Sequence, residues 1–206
     1  MKSITRRALL KYSTAIAGLA VFSLDSVAGI LTPSASEGPF YPKSSMRFDD
    51  IDNDLVKVSN VVAEAGGEII LLTGQLVSRE GASLAGHRIE IWQCDVNGKY
   101  LYPRDGRNIL YDESFQGFGH DITDINGHYQ FRTIKPTNYP GRAPHIHVKV
   151  WDGEHELLTT QLYIAGYKFN DSDGLYRRMS SEQAEQVSMV FNNHGDVLET
   201  IVDVII

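Results

Sequence analysis

Between Glu68 and Ala165 the chain is punctuated by four turn dipeptides, Glu80-Gly81, Asn97-Gly98, Asn126-Gly127 and Asp152-Gly153. The intervals between them are shorter than the ~30 or more residues that a strand–helix–strand unit occupies. The segments they bound are short and rich in β-branched and aromatic residues: "EIILLTGQLVS" (68–78), "HRIEIWQCD" (87–95), "GHYQFRTI" (127–134), "HIHVKVW" (145–151) and "ELLTTQLYIA" (156–165). Strands at this spacing predict an all-β fold, an antiparallel β-sandwich with long loops. One short helix is expected at "SSEQAEQVSMVF" (180–191), where Ser180 and Gln183 have capping-box spacing. "DVLETIVDVII" reads as a closing strand.

The first 28 residues read differently. A twin arginine, Arg6-Arg7, precedes an apolar run that ends in Ser26-Val27-Ala28, the pattern of a twin-arginine export signal with its cleavage site. The run is broken by Lys11 and Ser13 and falls short of the ~20 residues of a spanning helix. The expectation is an exported protein, periplasmic or secreted, with no stable membrane insertion. It has a leader at 1–28 and one domain at 29–206. Lys2, Arg6, Arg7 and Lys11 against Asp25 give the leader a net +3, so its removal takes the formal charge from −7 to −10. That balance, without a basic cluster, excludes nucleic acid as a partner. Cys94, the single cysteine, reads as a small buried apolar side chain.

Successive side chains of a strand alternate faces, so His145 and His147 project to the same side, about two rises apart. Two imidazoles at that distance can reach one metal ion. The oxygen donors nearby are phenols rather than carboxylates: Tyr139 lies in the Pro-flanked loop entering the strand, and Tyr100 follows the Asn97-Gly98 turn. Phenolate is a hard anionic donor suited to a trivalent ion, so two tyrosines with two histidines point to Fe(III), one per chain. Tyrosine is also a common strand residue, and the chain has ten.

On these residues the sequence resembles a known family. "GHRIEIWQCDVNGKY", "TDINGHYQFRTIKPTNYPGRAPHIHVKV" and "TTQLYIAG" are similar to the core of the intradiol ring-cleavage dioxygenases, the protocatechuate 3,4-dioxygenase and catechol 1,2-dioxygenase group. "SEGPFYP" (36–42) resembles the segment those enzymes place beside the substrate. The resemblance, to a compact exported branch, runs from about Glu37 to Gly166. It implies Tyr100 and Tyr139 as phenolate ligands and His145 and His147 as imidazole ligands. It implies a proton-accepting role for Tyr139, Arg142 over the substrate ring, Gln161 near that arginine, and Gly38, Pro39 and Tyr41 along the substrate side. The implied reactants are a small aromatic diol and O2, the product is a muconate-type diacid, and the implied assembly is a monomer or homodimer. Many members carry a longer loop between the second tyrosine and the histidines, where this chain has only "PGRAP" (140–144).

Other features have ordinary explanations. The remaining histidines lie in turns or beside acids, with His120 the one expected nearest the site, and Tyr129 reads as a packed hairpin residue. Lys149 shares the face of the histidine pair. The acidic run "MRFDDIDND" (46–54) lacks the spacing of a calcium loop and reads as a solvated loop. The rival function is a non-catalytic exported binding module of the transthyretin-like or carboxypeptidase-regulatory type. It shares the strand logic and gives no reason to gather two tyrosines, an arginine and two histidines. A zinc or copper site on the histidine pair is disfavoured by the absence of a supporting carboxylate or thiol.

Overall fold

The computed structural model describes residues 29–101, 107–195 and 197–206. The expected leader, 1–28, lies outside them. Among the described residues ten strands form two five-stranded sheets. The first is built on β1 (Ile69–Val77), flanked on one side by β4 (His128–Ile134) and on the other by β9 (Val197–Ile201) and then β10 (Val204–Ile205); β8 (Asn192–His194) extends it beyond β9. The second runs in the order β3 (Phe118–Ile122), β2 (Arg88–Trp92), β5 (His145–Asp152), β6 (His155–Ile164), β7 (Ser188–Met189). The long central pairings are antiparallel, as expected. The pairings β1–β9, β1–β10 and β6–β7 are parallel, because the closing segments return to sheet edges after long connections. Among the described residues no helix is long and apolar enough to cross a membrane.

Alternation places the core. In β1 the burial pattern alternates strictly, and Ile70, Leu72 and Leu76 face inward. They meet Ile89 and Ile91 of β2, Ile146, Val148 and Val150 of β5, and Leu162 of β6 in one cluster between the sheets. The four glycines of the turn dipeptides all take φ between 56° and 83°, the left-handed conformation a tight turn asks of them.

Three expectations are corrected or refined. β3 carried no strand signal, since "FGHDI" is neither alternating nor apolar; it forms because β2 would otherwise be an open edge, and it pairs with Ile91 opposite Gly119. The helix α1 (Ser181–Gln186) is capped by Ser180 and Gln183 in both directions, but it stops at Gln186 because the chain then extends to pair Ser188 and Met189 with β6. The acidic run is not a free solvated loop. Its backbone pairs with the edges of both sheets, through His120 N–H to Asp52 O (3.0 Å), Arg132 N–H to Asn53 O (2.8 Å) and Leu55 N–H to Arg132 O (2.8 Å).

Tyr129 is buried, as expected of a packed tyrosine, and its hydroxyl donates to the Val202 carbonyl at 2.6 Å. Tyr129→Phe leaves that carbonyl without its buried donor, at a cost of about 1–2 kcal/mol. Urea denaturation should show the midpoint fall at unchanged slope, and an unaltered midpoint would mean that water replaces the bond.

Candidate active site

Strand β5 is buried along both faces from His145 to Val150. Its even-numbered residues fill the core between the sheets, so His145, His147 and Lys149 lie on the outer face of the second sheet. That face is sealed by a second, smaller cluster of Trp92, Cys94, Tyr100 and Phe118, with Phe40, Tyr41, Ile51 and Tyr139 packed against it. The register of β5 brings His147 opposite Trp92 on one side and Gln161 on the other, and His145 opposite Tyr163. Directly opposed residues share a face. Gln161 and Tyr163 are thereby delivered to the histidines.

Three donor atoms converge. The Tyr100 hydroxyl lies 3.2 Å from Nε2 of His145 and 3.2 Å from Nε2 of His147, and the two Nε2 atoms are 3.1 Å apart. The Nδ1–H of His145 donates to the Ala143 carbonyl at 2.7 Å, which leaves its Nε2 with a bare lone pair aimed at the other two donors. Nδ1 of His147 is buried without a partner; the ring is held instead by stacking on Trp92, with centroids 4.6 Å apart and planes within 10°. Burial, and then the nearby Arg142 guanidinium, lower the pKa of His145 to about 4, so it is a neutral donor at neutral pH. Burial and the neighbouring His145 push His147 well below its usual value as well. Burial drives the Tyr100 phenol far above the ordinary tyrosine value, so only a strong local positive charge would ionise it.

These donors fit a metal ion. Two ligands ~2.1 Å from an ion and separated by roughly 95° stand about 3.1 Å apart, the spacing of this triangle. The His145–Ala143 bond is of the kind that would orient an imidazole if His145 were a ligand. Among the described residues no group of three His, Cys, Asp or Glu side chains could hold a metal, so an ion bound at this triangle would need the phenol as well as the two imidazoles.

Tyr139, half-buried, stands beside this triangle. Its ring lies edge-on to Tyr100 at 5.4 Å and to Phe40 at 5.5 Å, with the Arg107 guanidinium 5.0 Å from its centroid. The two tyrosine loops touch at Gly98, where a Cβ would stand 2.5 Å from the Asn138 carbonyl oxygen; a side chain there would drive them apart. Arg142 follows in the same turn, its backbone N–H donating to the Tyr139 carbonyl at 3.1 Å. Its Nε donates to Asp173 at 2.8 Å, and its Nη2 to Gln161 at 2.6 Å and to Tyr163 at 3.0 Å. Nη1 has no partner among the described residues. A cleft of about 390 Å³ is lined by Asn138, Tyr139, Gly141, Arg142, Phe169 and Ser172. On the side where "PGRAP" is short, the wall is therefore made by the segment after β6, pinned by the Tyr167 hydroxyl to Asn138 (2.7 Å).

The segment 36–42 crosses the same face. Gly38 lies against His147, where a Cβ would be 3.7 Å from its ring, and Pro39 is exposed at the turn. Tyr41 points to the sheet: its hydroxyl donates to Glu90 at 2.8 Å, and its ring packs edge-on to Trp92. Phe40, not singled out in the sequence, is the residue stacked on Tyr100, at 4.7 Å and 13°. Lys149 does not reach solvent; it is buried and bound by Glu37, which anchors the segment, and by Glu156 at 3.1 Å. His120 sits across from Glu90, in the row of Lys149 rather than that of His147. Cys94 is buried, with burial raising its thiol to about 11, consistent with a packing role.

Sequence reasoning missed Phe40, Tyr163 and Asp173. Tyr163 could have been found, since it lies two residues from Gln161 on one strand face. Asp173 carried no signal, because an Asp-Gly pair after a strand reads as an ordinary turn.

The Dioxygenase family model matches residues 36–204. The chain is 35% identical over 124 residues to the protocatechuate 3,4-dioxygenase beta chain of Burkholderia cepacia, covering 56% of this chain and 53% of the relative. It is 28% identical over 163 residues to a catechol 1,2-dioxygenase of Candida albicans, covering 70% and 51%. It thus spans about half the length of these curated relatives. Among solved structures, the dioxygenase domain of a dioxygenase–carbohydrate-binding fusion from Streptomyces sp. SirexAA-E superposes with a TM-score of 0.65 at 29% identity, over 86% of this chain and 98% of that one.

His145→Ala removes one corner of the donor triangle. Metal retained after dialysis should fall at least ~10-fold, as read by elemental analysis; retention at the unmutated level would take His145 out of the site.

Proposed function

The chain belongs to the intradiol ring-cleavage dioxygenase family, and on that premise we propose that it opens a catechol-type ring between its two hydroxyl-bearing carbons, using O2, to give a muconate-type diacid. The observation that carries this is the convergence of Tyr100, His145 and His147 beside Tyr139 and Arg142. Two neutral imidazoles with phenols form a hard, anionic-capable donor set that suits Fe(III). His145, His147, Tyr100 and Tyr139 would hold the ion, one per chain. When bound, a ferric ion supplies Lewis acidity that draws electron density from a diol.

The side chains around it do the rest. A diol must shed protons to bind as an anion, and the oxygen of Tyr139, if held as a phenolate by the ion, would accept one and become a neutral phenol. Nη1 of Arg142, unpartnered among the described residues, offers two N–H donors to the negative charge that develops on the ring, while its other nitrogens stay fixed by Asp173, Gln161 and Tyr163. Phe40 and the Gly38–Pro39 turn shield the donor triangle from water. Export through the leader at 1–28 would place this reaction outside the cytoplasm.

Oxygen uptake with catechol, and a product heavier by two oxygen atoms, test this reading; iron-loaded protein that consumes no oxygen with any catechol tried would refute it. Tyr139→Phe should slow turnover by about 100-fold or more, and an unchanged rate would remove Tyr139 from the proton transfer. Arg142→Ala should keep the metal and lose ~100–1,000-fold in kcat; loss of metal instead would make its role structural.

A further inference from the structure

Asp173 lies in the connection after β6, just past a 3-10 turn at Asn170–Ser172. Its side chain is fully buried and bonds every acceptor direction it has. One carboxylate oxygen, Oδ2, accepts from Arg142 Nε (2.8 Å) and from the Ala143 backbone N–H (2.8 Å). The other, Oδ1, accepts from the backbone N–H groups of Leu175 (2.9 Å) and Tyr176 (3.2 Å). Four donors, one of them a guanidinium, make a rigid anionic socket out of a group that would otherwise be costly to bury.

Its position in the network is what matters. Arginine is a long side chain whose fork must be fixed before it can act on a developing charge. Gln161 and Tyr163 grip only Nη2, and a guanidinium held there alone can still swing about that contact. The Nε bond to Asp173 supplies the second point, and two points fix the plane and direct Nη1. The same carboxylate oxygen holds the Ala143 N–H, and the carbonyl of Ala143 takes the Nδ1–H of His145. One buried side chain therefore sets the arginine, while His145 keeps its own bond to the Ala143 carbonyl.

We propose that Asp173 is a positioning residue for ring cleavage, acting through Arg142. The inference rests on the dioxygenase reading and assigns no contact between Asp173 and the substrate. In Asp173→Asn one of the two oxygens becomes an NH2 group, which donates and cannot accept, so one side of the socket is released.

The test is a double-mutant cycle with catechol as substrate, using D173N, R142A and the double variant in iron-loaded protein. D173N should retain its metal and its resting visible band, because none of the donor atoms is altered. Its kcat should fall about 10–100-fold with KM changed by less than about 3-fold. In the R142A background, D173N should lower kcat by less than about 2-fold. An equal loss in both backgrounds would overturn the proposal, because the carboxylate would then act on the fold and not through the arginine.

A second measurement does not depend on turnover. In metal-free, nitrogen-15-labelled protein, the Arg142 Nε–H resonance, assigned by its disappearance in R142K, should exchange with water at least ~10-fold more slowly than those of the exposed Arg79 and Arg177. Exchange as fast as theirs would overturn the proposal even if D173N proved insoluble. A protein inactive on every diol but with a protected Arg142 Nε–H would sink the dioxygenase reading and leave the link between Asp173 and Arg142 intact.

Discussion

Everything in the site depends on β5 being buried on both faces. Its even-numbered residues, Ile146, Val148 and Val150, are held by the core between the sheets, and this fixes the odd-numbered ones on the opposite side. A slip of one residue would carry His145 and His147 into the apolar core and Ile146 among the tyrosines, so the register is defended by the burial of the entire strand. A surface strand could not hold two imidazoles this rigidly. The aromatic cluster over the outer face turns that strand into an interior one and gives the histidines a dry setting.

Burial also determines the charge balance. Arg142 is matched by Asp173, and Lys149 by Glu37 and Glu156. The imidazoles are held neutral and the Tyr100 phenol is held protonated by the same desolvation. The protonated Tyr100 hydroxyl can donate to only one of the two Nε2 atoms at a time, and a buried cation is a partner that would meet both nitrogens and the phenolic oxygen at once. Lys149 contributes from a distance: its ion pair to Glu37 ties down the segment that lays Gly38 on His147 and Phe40 on Tyr100.

Much of this was legible in the sequence. Alternation in "HIHVKVW" put both histidines on one face, and the turn glycines marked the strand ends, because both signals are local. Ser180 and Gln183 announced the helix cap for the same reason. What escaped was non-local. The β3 strand is made by an edge needing a partner, and its own residues do not ask for it. The 46–54 run looked solvated because its pairing is through the backbone. Phe40 and Tyr41 are adjacent, and only the packing of their segment decides which one stacks on Tyr100 and which turns to Glu90. Asp173 is brought to Arg142 by a connection 31 residues away, which no local pattern encodes.

In the proposed function Tyr100, Tyr139, His145 and His147 hold one ferric ion that a diol can reach. The most direct measurement is the metal content and visible spectrum of the purified protein, before and after catechol is added without oxygen. The predicted result is one iron per chain, a red-brown colour from phenolate-to-iron charge transfer, and a shift of the band to longer wavelength on adding catechol. A protein that remains colourless and iron-free after reconstitution would contradict it.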